Sequence, residues 1–146
     1  KAFERELKDR NIPSIMVRTT DTTIDNKDRL LMLQPLQPDV LISFHLNSAS
    51  RTSARGVSTY YNHNAFQPLT GFILESMLEI PNLPEFGNVG SFNFQLVQPT
   101  NYPTCLVEVA FLSNTEDEQL ILSDTFQEQV AAQVYKGLMK WIRQLD

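Results

Sequence analysis

Leu106-Val107-Glu108-Val109-Ala110-Phe111-Leu112 is an apolar run of strand length with one carboxylate inside it. It closes a long stretch without formal charge, since every residue from Phe86 to Val107 is uncharged. An ionised side chain on a buried strand is costly unless it is paired, bound to a metal or poised to exchange a proton. Glu108 is therefore either a carboxylate satisfied by an arginine or by backbone donors, or a group placed there for chemistry.

A second apolar segment, Val40-Leu41-Ile42-Ser43-Phe44-His45-Leu46-Asn47, ends in His-x-Asn. Functional groups in open α/β sheets gather where strands end and the chain leaves the sheet. A neutral imidazole at such an end is a good zinc ligand, and the plain alternative is a histidine bonded to a loop carbonyl.

Helices and strands alternate along the rest of the chain. Phe3 and Leu7 are spaced for one helix face, and residues 14–17 read as a strand. Asp25 can cap a helix running to Leu33, which Pro35 and Pro38 terminate. Strands follow at 40–45 and 56–61, separated by a polar loop at 50–55. Asn64 can cap a helix whose apolar face is Phe66, Leu69, Ile73, Met77 and Ile80. The glycines between 87 and 91 suggest loop, and 94–97 and 105–110 read as further strands.

Thr115-Glu116-Asp117-Glu118 fits a capping box. A terminal helix then carries Phe126, Val130, Val134, Leu138, Trp141, Ile142 and Leu145 on one core-facing stripe. The pattern predicts one α/β domain in three layers, with a mostly parallel central sheet and helices on both faces.

Several segments in this order resemble the zinc-dependent N-acetylmuramoyl-L-alanine amidases of the Amidase_3 type. They are Val17-Arg18-Thr19-Thr20-Asp21, Arg29, the strand ending at His45 with Asn47-Ser48-Ala49 after it, Gly56-Val57-Ser58-Thr59-Tyr60-Tyr61, and Leu106 to Asn114. The resemblance implies that His45 is a zinc ligand and Glu108 the catalytic glutamate. It implies two more ligands, a His in a Gly-His-Gly turn after a first strand and a Glu before the first helix. Lys1-Ala2-Phe3-Glu4-Arg5-Glu6-Leu7 reads as that first helix already under way. The expectation is thus an amidase-type domain over 1–146 that is N-terminally incomplete, lacking the first strand and two ligands, with an exposed sheet edge or gap where the strand belongs.

The chemistry so implied is hydrolysis of the amide between N-acetylmuramic acid and L-alanine in peptidoglycan. Zinc activates the water, and Glu108 shuttles its proton to the leaving amine. The alternatives are a non-catalytic wall-binding or regulatory relative, and a zinc exopeptidase acting on free peptides. Asn47 can hold the loop after His45 or brace the ligand. Family members often carry a basic residue before the glutamate strand, but residues 87–98 have no Lys or Arg. Substrate contacts then fall to neutral groups such as Asn93, or to Arg51 and Arg55. Arg18, Asp21, Arg29 and His63 read as structural.

Composition is consistent with this expectation. A length of 146 residues suits one domain with a sizeable core. The net charge of −5 argues against a nucleic-acid surface. One cysteine excludes an internal disulfide, and Cys105 reads as a small buried hydrophobe rather than a nucleophile, neither histidine being adjacent in sequence. No apolar run is long enough to span a membrane. The partner expected is peptidoglycan or its muropeptides, met by a monomer in the periplasm or outside the cell.

Overall fold

The computed structural model describes residues 1–91 and 93–145, and a four-stranded mixed sheet runs through it. The strands are β1 (Leu41–Asn47), β2 (Val57–Tyr60), β3 (Glu85–Val89) and β4 (Thr104–Phe111). Their order is β1-β4-β2-β3; β1/β4 and β2/β3 are parallel, and β2/β4 is antiparallel. Around them lie α1 (Ala2–Lys8), α2 (Asn26–Leu33), α3 (Gln67–Met77), α4 (Thr115–Ile121) and α5 (Asp124–Ile142). The α/β class expected from the alternation is the class observed.

Every residue of β4 is buried, which is why this strand reads as a continuous apolar run rather than an alternating one. Cys105, Val107 and Val109 point into the main core with Leu69, Ile73 and Met77 of α3 and Phe126, Val130, Val134 and Leu138 of α5. Leu106 faces the other side of the sheet and packs with Tyr60 and Val97. Val97 belongs to a 3-10 turn, Gln95–Val97, against which α2 packs. The core thus lies mainly between the sheet and the α3/α5 pair, and a thinner layer covers the opposite face.

Several local expectations are corrected. Residues 14–17 form no strand, and Ile15 is 69% exposed. A strand needs a hydrogen-bonded neighbour, and among the described residues nothing pairs with this segment. β1 accordingly remains an open edge, with Phe44 and Leu46 exposed. Residues 94–97 are not a strand either: the 3-10 turn caps the sheet instead of joining it. In the opposite sense, the supposed loop after residue 86 contains most of β3. Gly87 (φ +152°) sits at a register shift between β2 and β3, so this glycine serves a bulge.

Capping is also displaced by a residue in two places. The His63 ring accepts from the Ala65 N–H ahead of α3, and Asn114, not Thr115, accepts the N–H groups of Glu116 and Asp117 at the start of α4. Asp25 caps α2 as expected. Helix α5 ends at Ile142, so Leu145 is exposed rather than part of the buried stripe.

Asp117 fastens these parts together. Fully buried on α4, its carboxylate accepts the N–H of Gly56 at 2.7 Å, that of Phe111 at 3.0 Å and Nε of Arg55 at 3.1 Å. Gly56 adopts φ +103° at the entry to β2, and a Cβ there would lie 2.2 Å from the Pro84 carbonyl oxygen. Replacing Asp117 by Ala strands two backbone donors and leaves Nε of Arg55 without its carboxylate. The expected loss is about 3–5 kcal/mol, measured by urea denaturation; a loss below about 1 kcal/mol, the scale of an ordinary substitution, would contradict this role.

Candidate active site

His45 and Glu108 are direct register partners on the neighbouring parallel strands β1 and β4, and Ser58 of β2 is the antiparallel partner of Glu108. Register partners project from the same face of a sheet. The three side chains therefore form one row across β1, β4 and β2, on the face that Leu106 and Tyr60 share. Just beyond the row the β1/β4 register shifts, with His45 opposite Glu108 but Asn47 opposite Phe111. β4 fits one extra residue there, and such irregularities re-aim side chains beside functional sites.

Glu108 is 8% exposed, and its Oε2 is buried with no hydrogen-bond partner among the described residues. Burial raises its pKa above the ordinary carboxylate value. Neither the arginine nor the backbone donors that would explain a merely structural carboxylate reach that oxygen. The Ser58 hydroxyl, fully buried, lies 3.3 Å from the Tyr60 hydroxyl.

His45 is half-buried, with Nε2 3.0 Å from Ser43 Oγ. Burial, then the positive charges of Arg29 and Arg18, hold its pKa below the ordinary imidazole value. The ring is thus neutral at pH 7, the state in which imidazole binds a metal. His45 also lines a cleft of about 340 Å³ with Arg18, Arg29, Phe44, Leu46 and Val109. Glu108, the register partner of His45, is not one of the residues that line it.

The other sequence candidates are placed differently. Asn47 Oδ1 accepts the N–H of Ser48 at 2.8 Å, and its carbonyl takes the N–H of Leu112, so both groups hold the strand end. Arg51 is exposed on the following loop. Arg55 is committed elsewhere: it binds Asp117, Glu116 and the carbonyl of Asn82, which fixes the loop to α4. Asn93 Oδ1 accepts from Gln98 Nε2 at 2.7 Å within its own exposed segment.

Cys105 is fully buried, and burial pushes its thiol pKa far up, which suits packing and not nucleophilic attack. Arg18 and Arg29, read from sequence as structural, are the residues the cleft adds. Their signal was the chain order, with both preceding the strand that carries His45.

Catalytic zinc usually takes three protein ligands. Among the described residues no three His, Cys, Asp or Glu side chains come together to hold a metal. The residues present therefore offer one imidazole, His45, and do not make a zinc site by themselves.

The family profile described as Amidase_3, N-acetylmuramoyl-L-alanine amidase, matches residues 1–140. The chain belongs to the N-acetylmuramoyl-L-alanine amidase family. Among curated relatives, "N-acetylmuramoyl-L-alanine amidase LytC" of Bacillus subtilis is 23% identical over 133 residues, covering 88% of this chain and 27% of that protein. The Staphylococcus aureus protein described as "Probable cell wall amidase LytH" is 24% identical over 140 residues, covering 94% of this chain and 45% of the relative.

This amidase-family chain thus spans less than half the length of either relative. Among solved structures, the catalytic domain of CwlV, an amidase from Bacillus (Paenibacillus) polymyxa, superposes with a TM-score of 0.89 at 26% identity. That match covers 97% of this chain and 79% of the other.

The raised pKa of Glu108 has a consequence for stability. In the unfolded chain the group titrates at its ordinary value, 4.5, and in the fold it titrates higher. The burial penalty is absent below the unfolded value, grows as the pH rises towards the folded value and is complete above it. Glu108→Gln should therefore raise the melting temperature at pH 7–8, with the gain shrinking as the pH falls towards 4.5 and vanishing below it. A loss of stability at neutral pH would reveal a structural partner for the carboxylate.

Proposed function

We propose that this chain supplies the catalytic glutamate and one metal ligand of an enzyme that hydrolyses the amide between N-acetylmuramic acid and L-alanine in peptidoglycan. The observation that carries the reading is Glu108, a carboxylate with a partnerless buried oxygen, held in register beside a neutral histidine. Family membership supports the reaction class. In this reading His45 is a zinc ligand and the remaining ligands are not among the described residues, so no step is derived through the metal.

The proton bookkeeping falls to Glu108. A water oxygen bonds to the lactyl carbonyl carbon, and the carboxylate accepts the water's proton. When the C–N bond breaks, that proton passes to the alanine nitrogen and the carboxylate is restored. A group that both takes and returns a proton works best with a pKa near the operating pH. Burial moves Glu108 in that direction. The place of action is the cell wall, in the periplasm or outside the cell, and peptidoglycan or its muropeptides are the partner.

In the full-length protein, Glu108→Gln should keep bound zinc and lose about 10²–10⁴-fold in kcat for peptide release from peptidoglycan. His45→Ala should lose both metal and activity. Metal analysis beside a wall-digestion assay reads both. Wild-type turnover by Glu108→Gln would remove the proton-shuttle role. A wild-type protein that binds the wall and releases no peptide would favour a non-catalytic relative.

A further inference from the structure

The cleft beside His45 carries two guanidinium groups that the hydrolysis itself does not use. Arg18 donates Nη1 to the Thr22 carbonyl at 2.9 Å, and Arg29 donates Nε to the Ile24 carbonyl at 3.0 Å. Both are thereby anchored to the same loop between residue 18 and α2. The remaining N–H donors of Arg18, and both terminal amino groups of Arg29, are not taken up by these bonds.

Neither arginine has a carboxylate partner among the described residues, in contrast to Arg10 and Arg55, which pair with Glu6 and with Glu116 and Asp117. Of the two acids at the start of α2, Asp25 is engaged in capping the helix through the Lys27 N–H at 2.8 Å, and Asp28 makes no ion pair with Arg29 among the described residues. Asp21, three residues from Arg18, makes no ion pair with it. Two like charges on the wall of one cleft repel each other, and a negative group between them relieves the repulsion. Planar guanidinium forks are well shaped for an oxyanion with two equivalent oxygens.

We propose that Arg18 and Arg29 form a subsite for a carboxylate on the peptide side of the scissile amide. The proposal rests on the amidase reading for the identity of the substrate, and it makes the enzyme selective for acidic over amidated peptides. His45 lines the same cleft, so an anion held there lies next to the reacting bond. The segment at 87–98, where a basic contact would otherwise be sought, has no cation to offer.

The test uses the full-length protein and two soluble muramoyl-peptides. They are identical except that one carries a free carboxylate beyond the L-alanine and the other the corresponding carboxamide. The wild type should prefer the carboxylate by about tenfold or more in kcat/KM, chiefly through KM. Arg18→Gln and Arg29→Gln should each lower that ratio, and the double variant should bring it close to one. Arg29→Lys should restore part of it.

In parallel, calorimetric titration with the released L-alanyl peptide should show salt-sensitive binding that both Gln variants weaken and the carboxamide lacks. Equal kcat/KM for the two substrates in the wild type, or a preference that survives both substitutions in folded protein, overturns the subsite. Should the wild type release no peptide at all, the amidase reading fails, and the titration decides the subsite independently. Binding indifferent to the carboxylate overturns it there.

Discussion

The geometry of this domain depends on a single buried carboxylate. Asp117 is fully enclosed, yet it holds the entry to β2, the last residue of β4 and the arginine that closes the preceding loop. A buried charge persists only where its hydrogen-bonding capacity is filled, and three donors fill it here. β2 and β4 are the strands that carry Ser58 and Glu108. The antiparallel ladder between them therefore has its register set from outside the sheet, by a residue of α4. Asn114 contributes to the same joint, capping α4 while its amide donates to the carbonyl of Thr52 at 2.8 Å.

That joint explains why two arginines close in the sequence have different fates. Arg51 and Arg55 both follow the strand of His45 on a polar loop, and spacing alone makes them equivalent candidates to meet a substrate. Arg55 faces Asp117 and is consumed in the frame, whereas Arg51 lies exposed. Arg18 and Arg29 show the reverse. Their positions suggest turn locking, and each does bond a loop carbonyl, but with one donor only. A guanidinium has five N–H donors, so it can anchor itself and still present cationic surface to a cleft.

What was legible in the sequence follows from what kind of signal each element carries. β4 and α5 announce themselves through long apolar patterns, because their burial is extensive. His45 and Glu108 stand out because a titratable group in such a pattern is unusual. β3 was missed because its sequence, Glu85–Val89, contains a glycine that marks a bulge rather than a break, and because an edge strand has only one ladder to satisfy. Residues 14–17 misled in the other direction. Ile15, Met16 and Val17 have strand-like composition, but composition cannot supply the neighbour that a ladder requires. The same applies to 94–97, whose apolar residues bury themselves by folding down onto Tyr60 and Leu106.

The deepest consequence of the fold is electrostatic. His45 and Glu108 occupy matching positions on neighbouring strands, and their surroundings move both towards the uncharged form. For His45 the causes are burial and the cations of Arg29 and Arg18, and for Glu108 the cause is burial alone. The arginines line the cleft on which His45 lies and depress its imidazole, and among the described residues neither forms an ion pair with the Glu108 carboxylate. Had either guanidinium bonded Glu108, the group would be a fixed anion with its pKa held low and little use in passing a proton. Leaving Glu108 unpaired with the arginines preserves a neutral donor nitrogen on one strand and a proton-exchanging carboxyl on the next. The β1/β4 register, set by backbone pairing, makes that separation possible.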